Sequence, residues 1–212
     1  MSRGRFITLE GGEGAGKSTQ IARLADWLEN RGLPVLRSRE PGGSTGGEEI
    51  RKLLVDGSVD RWDPMSEALL HFAARRQHIV ETLEPALAAG TWVLCDRFAD
   101  STMAYQGYGH ALGPAVVSEL YRLVVGDLRP DLTFVLDLPV AEGLARAGRR
   151  GAAEARYESM ATAFHERVRN GFLEIARKDS DRCVLVDATV SAERVQEALR
   201  EGLESRLGVL ST

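Results

Sequence analysis

A chain of 212 residues, 43% hydrophobic and 27% charged, is long enough to bury a substantial core and is most economically read as one domain spanning 1–212. Its formal net charge of −4 argues against the broad cationic surface that binding a polynucleotide requires, while leaving room for a local cluster of arginines around phosphates. The N-terminus MSRGRFITLE carries no apolar segment of signal-peptide length, and no stretch reaches the roughly 18 apolar residues of a membrane span, so a soluble cytoplasmic protein with no membrane partner is expected.

The first apolar run, RFITLE, reads as a strand and leads straight into GGEGAGKST. Gly11, Gly16, Lys17 and Ser18 satisfy G-x-x-x-x-G-K-[ST], the P-loop pattern. In that pattern backbone N–H groups cradle phosphates, the lysine reaches the outer phosphates and the hydroxyl binds Mg²⁺. The whole of Gly11, Gly12, Glu13, Gly14, Ala15, Gly16, Lys17, Ser18 and Thr19 is therefore assigned to a nucleoside triphosphate. Ile21, Leu24, Ala25 and Leu28 follow at helical spacing, so the positive end of a helix points at the loop. A chance glycine-rich turn would lack this strand–loop–helix setting.

Four more strand-like runs come later: PVLRSRE, TWVLCDR, DLTFVLDL and RCVLVDA. Between them lie stretches of helical periodicity, notably Pro64 to Ala89 and Ser191 to Leu207. This alternation predicts an α/β fold with a five-stranded parallel sheet and helices on both faces. Each run ends in charge (Glu10, Arg39-Glu40, Asp96-Arg97, Asp137, Asp187), and ligands in open α/β sheets bind beyond the carboxyl ends of strands. Cys95 and Cys183 sit inside strand-like runs, read as structural, and no metal-ligand spacing occurs. Two glycine-rich segments read as mobile: Glu40 to Glu49, and the arginine-rich stretch at about 145–156, a candidate lid carrying Arg146, Arg149 and Arg150. His78, His110 and His165 belong to no constellation and are read as surface or helix residues.

The blocks FITLEGGEGAGKSTQ, SREPGGS, HFAARRQH and DRFADSTMAYQG, followed by the arginine-rich loop, resemble the bacterial thymidylate kinases in order and spacing over nearly the whole chain. The resemblance implies a P-loop kinase that moves a phosphoryl group from ATP to dTMP with Mg²⁺, a step in dTTP synthesis, and that works as a homodimer without nucleic acid. Catalysis would then fall to Lys17, Arg97 and the lid arginines Arg146, Arg149 and Arg150, since members with an acidic residue in the P-loop, here Glu13, carry their catalytic arginine in the lid. Mg²⁺ would lie near Ser18 and Asp96, and Arg39 and Arg97 would hold the acceptor phosphate, which suits the fork of a guanidinium.

By the same resemblance Phe72, Arg75 and Thr102 would recognise the base, Glu13 and Tyr105 the deoxyribose, and Gln106 the base or its surroundings. The stacking aromatic stands four residues before the arginine in several relatives, which is His71 here, against three for Phe72; both positions share a helix face, so either can stack. Two other readings stay open, a kinase for a different small molecule and a nucleotide-dependent switch. The DRFADSTMAYQG block disfavours the first and the acceptor arginines the second.

Overall fold

The computed structural model describes residues 3–149 and 155–208. Five parallel strands, β1 (Phe6–Gly11), β2 (Val35–Arg39), β3 (Trp92–Asp96), β4 (Leu132–Asp137) and β5 (Cys183–Asp187), lie in the order β2-β3-β1-β4-β5. All five lie in the strand-like runs of the sequence, β1 reaching one residue further to Gly11; the near-continuous hydrophobicity of β1, β3 and β4 suits strands covered on both faces, whereas β2, VLRSR, is only partly buried. The central strand β1 is buried throughout. Its alternate residues feed opposite cores: Ile7 and Leu9 pack with α1 (Lys17–Glu29), whereas Phe6 packs against Phe98 and Phe72 on the other face.

Around the sheet run α2 (Thr45–Val55), α3 (Pro64–His78), α4 (Glu84–Ala88), α5 (Ala99–Thr102), α6 (Pro114–Val124), α7 (Val140–Gly148), α8 (Ala155–Glu158), α9 (Thr162–Lys178) and α10 (Ala192–Leu207). The segment read as a mobile turn at Glu40 to Glu49 is instead ordered. Ser44 caps α2 by accepting from the Gly47 N–H, and the Glu48 carboxylate accepts from the Gly43 N–H. The single helix expected over Pro64 to Ala89 is interrupted by a π-turn at Ile79–Leu83, where the Glu84 N–H reaches back to the Ile79 carbonyl. Pro85, which follows, has no N–H to continue the α-helical ladder. A second π-turn, Met103–Gly109, continues α5.

Candidate active site

The site is assembled at the carboxyl edge of the sheet, where the chain passes from the β1–β3 side to β4, the place expected of a topological switch point. Between β1 and α1 the P-loop turns on Gly14, at φ 69°, where an added Cβ would stand 2.1 Å from the Gly143 carbonyl oxygen of α7. Gly16 is left-handed at the N-cap of α1, which has no side-chain cap and no acidic residue in its first turn. The helix therefore offers its orphan N–H groups and positive end to whatever the loop holds. Lys17 is buried and donates to the carbonyls of Gly11, at 3.1 Å, and Gly12, at 3.0 Å. Ser18 and Thr19 are exposed, and the Ser18 hydroxyl donates to Asp96 Oδ2 at 2.6 Å. Hydroxyl and carboxylate thus stand together, as a hexacoordinate cation bound to phosphates requires.

Arg97 follows Asp96 with φ 71°, a left-handed conformation rare for a bulky residue and often found where a fold holds a functional side chain. Its guanidinium donates to Gly11 O at 2.9 Å, to Ser101 Oγ, to Glu13 Oε1 and to Tyr105 Oη, and Tyr105 in turn donates to Glu13 at 2.6 Å. Burial works against charge on Glu13, but Arg97, then Lys17 and the Tyr105 hydroxyl outweigh it and hold the carboxyl below its usual range. Arg39, at the end of β2, is half exposed and donates to both Glu48 oxygens at 3.1 and 3.0 Å, beside Ser18 and Asp96 in one groove.

Behind Arg97 lies a cavity lined by Arg75, Thr102, Tyr105, Gln106, His71 and Tyr157 among others. Arg75 is buried and held by three bonds: Nε donates to Glu40 Oε2 at 2.8 Å, and Nη2 to the Phe98 carbonyl at 3.1 Å and Thr102 Oγ1 at 2.9 Å. Its Nη1 is buried with no hydrogen-bond partner. Gln106 Nε2 donates to Glu67 at 2.7 Å, while its Oε1 is buried and unpartnered. A free donor and a free acceptor therefore occur on two side chains of one cavity wall.

The structure separates the two candidates for the stacking residue. His71 lines the cavity, bonded to the Tyr157 hydroxyl at 2.9 Å; Phe72, 1% exposed, lies in the core with Phe6 and Phe98 and is not among the cavity's lining residues. Burial pushes His71 down to about 4, so it faces the cavity as neutral imidazole. Of the three other histidines, His78 and His165 lie in helices, α3 and α9, in line with half of the expectation, but none is freely exposed. His78 is fully buried, paired with Glu40 and Ser38; His110 faces Glu67; His165 is 4% exposed.

Of the lid arginines, Arg146 is turned toward the β5–α10 corner, bonded to the Ala188 carbonyl and paired with Glu142, and Arg149 is exposed at the end of α7. Arg150 lies outside the described residues. Arg156, counted in sequence with the lid, is instead fully buried. It is paired with Glu67 and donates to the carbonyls of Leu54, Ser58 and Val59. Reading the sequence also missed Glu67 and Tyr157, neither of which belongs to a local motif, and gave Glu40, inside SREPGGS, no role of its own. Only the position of Glu40 at a strand's carboxyl end gave a signal.

The profile of the thymidylate kinase family matches residues 9–199. The chain belongs to the thymidylate kinase family. It is 54% identical to a thymidylate kinase of Caulobacter vibrioides over 209 residues, covering 99% of this chain and 100% of that protein. To one of Bradyrhizobium sp. strain ORS 278 it is 50% identical over 97% of this chain and 92% of the other. The crystal structure of thymidylate kinase from Ehrlichia chaffeensis superposes with a TM-score of 0.76 at 36% identity, covering 95% of this chain and 99% of that one. The family's fold is thus the P-loop architecture described above.

Proposed function

We propose that the protein transfers the γ-phosphoryl group of ATP to dTMP, yielding ADP and dTDP on the way to dTTP. The observation that carries this reading is the pairing of the unpartnered Arg75 Nη1 donor with the unpartnered Gln106 Oε1 acceptor in a cavity that opens toward the P-loop. Thymine presents an O4 acceptor beside an N3–H donor, the complement of that pair. His71 stacks on the base, Thr102 fixes Arg75, and Glu13 and Tyr105 stand at the deoxyribose. Phe72 acts from the core as support for α3.

The acceptor phosphate lies between Arg97 and Arg39, and Arg39 exchanges Glu48 for it. Phosphoryl transfer needs alignment and cations rather than covalent help from the protein. Lys17 and the N–H groups from Gly12 to Thr19 take up charge on the donor phosphates, and Arg146, Arg149 and Arg150 add theirs when the lid at about 145–156 closes over the single domain. Bound Mg²⁺ would neutralise phosphate charge, and Ser18 and Asp96 are the side chains placed to hold it. The acceptor phosphate is already an anionic nucleophile, so no general base is assigned.

The second copy of a homodimer fits the outer face of α3 and α6. Leu69 and Leu123 are 50% and 77% exposed there, beside Ala73, on a surface that would otherwise carry polar residues.

ADP release measured with and without dTMP tests the central reading. Release should depend on dTMP, and Lys17→Ala should lower kcat/KM by roughly a hundred- to a thousandfold while unfolding stays cooperative. Hydrolysis indifferent to dTMP would point to a nucleotide switch instead.

A further inference from the structure

We infer that Glu67 decides which end of the Gln106 carboxamide faces the nucleobase, and is therefore a positioning residue for base specificity; the inference rests on the acceptor reading above. Glu67 lies in the first turn of α3, with its side chain 1% exposed, and takes no place in the cavity wall. Its Oε1 accepts from Gln106 Nε2 at 2.7 Å and faces His110 Nε2 at 3.2 Å, and its Oε2 is paired with Arg156. An ionised carboxylate has lone pairs and no proton to offer, so only the NH₂ end of an amide can face it. The Gln106 oxygen is left facing the other way, buried and without a partner in a residue that lines the cavity.

The surroundings keep Glu67 ionised. Burial opposes its charge, but His110 beside it and the permanent charge of Arg156 prevail, with His71 adding to them only where it is itself protonated, and the carboxyl is held down at about 2. Across any working pH the group therefore accepts only, and the amide has one orientation. A glutamine at position 67 could donate as well as accept. Gln106 could then invert and turn its NH₂ toward the base, where it would meet the N3 lone pair of a cytosine but clash with the N3–H of thymine.

The test compares kcat/KM for dTMP and 5-methyl-dCMP, which share the methyl group and differ at N3 and position 4, in wild type, Glu67→Gln and Glu67→Asp. Glu67→Gln should lower the dTMP to 5-methyl-dCMP ratio by about tenfold or more, the scale of one exchanged hydrogen bond. Glu67→Asp, still an acceptor alone, should hold the ratio within severalfold of wild type even where thermal stability falls. If Glu67→Gln slows both acceptors alike, or Glu67→Asp relaxes the ratio as much, the inference is overturned and Glu67 is only structural. Should Glu67→Gln fail to fold, binding to the wild-type protein decides. N3-methyl-dTMP should bind at least about tenfold more weakly than dTMP, and equal binding would refute a carboxamide oxygen aimed at N3–H. Failure of the wild type to phosphorylate dTMP at all would instead bring down the acceptor reading itself.

Discussion

Glu10 ends its apolar run one residue before the P-loop, and in sequence it reads as one charge among several converging on the crevice. It is in fact 0% exposed, accepting from the Phe98 N–H at 2.7 Å and the Ser101 hydroxyl at 2.5 Å, and Ser101 in turn accepts from Arg97. Burial first, and Asp100 second, push Glu10 up to about 7 against the pull of Ser101, Arg97 and the Phe98 N–H. An unfolded glutamate releases its proton near pH ~4.3, so between that value and about 7 the native chain binds more protons than the unfolded one. The stability this residue contributes is full below the lower value and is lost as pH rises through the higher. Glu10→Gln removes the titration. Whatever its fixed cost, the variant should gain on wild type by on the order of 2 kcal/mol between about pH 5 and pH 8, followed by denaturant unfolding. A difference that stays flat across that range would contradict a raised carboxyl. Arg75 makes the complementary point: three of its bonds are spent on fixing it, and the one nitrogen left over is buried without a hydrogen-bond partner.

At the level of elements, α8 is short and is tied down by two side chains, Arg156 and Tyr157. Arg156 spans from Glu67 on α3 to the carbonyls after α2, while its neighbour Tyr157 packs edge-on against Tyr105 and bonds to His71. Arg156→Leu would leave Glu67 buried without the permanent positive charge paired to it, which should cost about 3–5 kcal/mol of unfolding free energy. A loss under about 1 kcal/mol would mean that α8 is not anchored there. This tie was not legible in the sequence, since an arginine beside glycines and other arginines looks like any solvated lid residue. The inner strands β1, β3 and β4 were legible because two-sided burial forces near-continuous apolar runs, and the P-loop because phosphate binding demands bare backbone at fixed spacing. The π-turns were not, because one extra residue in a turn leaves helical periodicity almost intact. Gly46 and Gly47 hid the start of α2, although Ser44 and the EEIRKLLV pattern carried the signal for it. His71 and Phe72 could be separated only by the helix's rotation against the core.

For the molecule as a whole, the apolar outer face of α3 and α6 is the feature that one chain leaves unexplained. Leu123→Glu should convert a dimer to a monomer in sedimentation equilibrium, and a wild-type chain that sediments as a monomer at micromolar concentration would remove the proposed interface. Among the described residues no helix is long and apolar enough to cross a membrane. What unites the fold is the meeting of two features at one sheet edge, the proposed halves of the site: the P-loop between β1 and α1, and the cavity between α3 and the turn after α5. The most direct test of that union is a steady-state comparison of monophosphate acceptors at saturating Mg-ATP. The Arg75 donor and Gln106 acceptor predict dTMP first and dUMP, which lacks only a methyl group, within roughly 10–200-fold; dCMP, which sets donor against donor at position 4, should fall behind by up to about 10⁴-fold. A preference for dCMP or a purine monophosphate over dTMP would contradict the account.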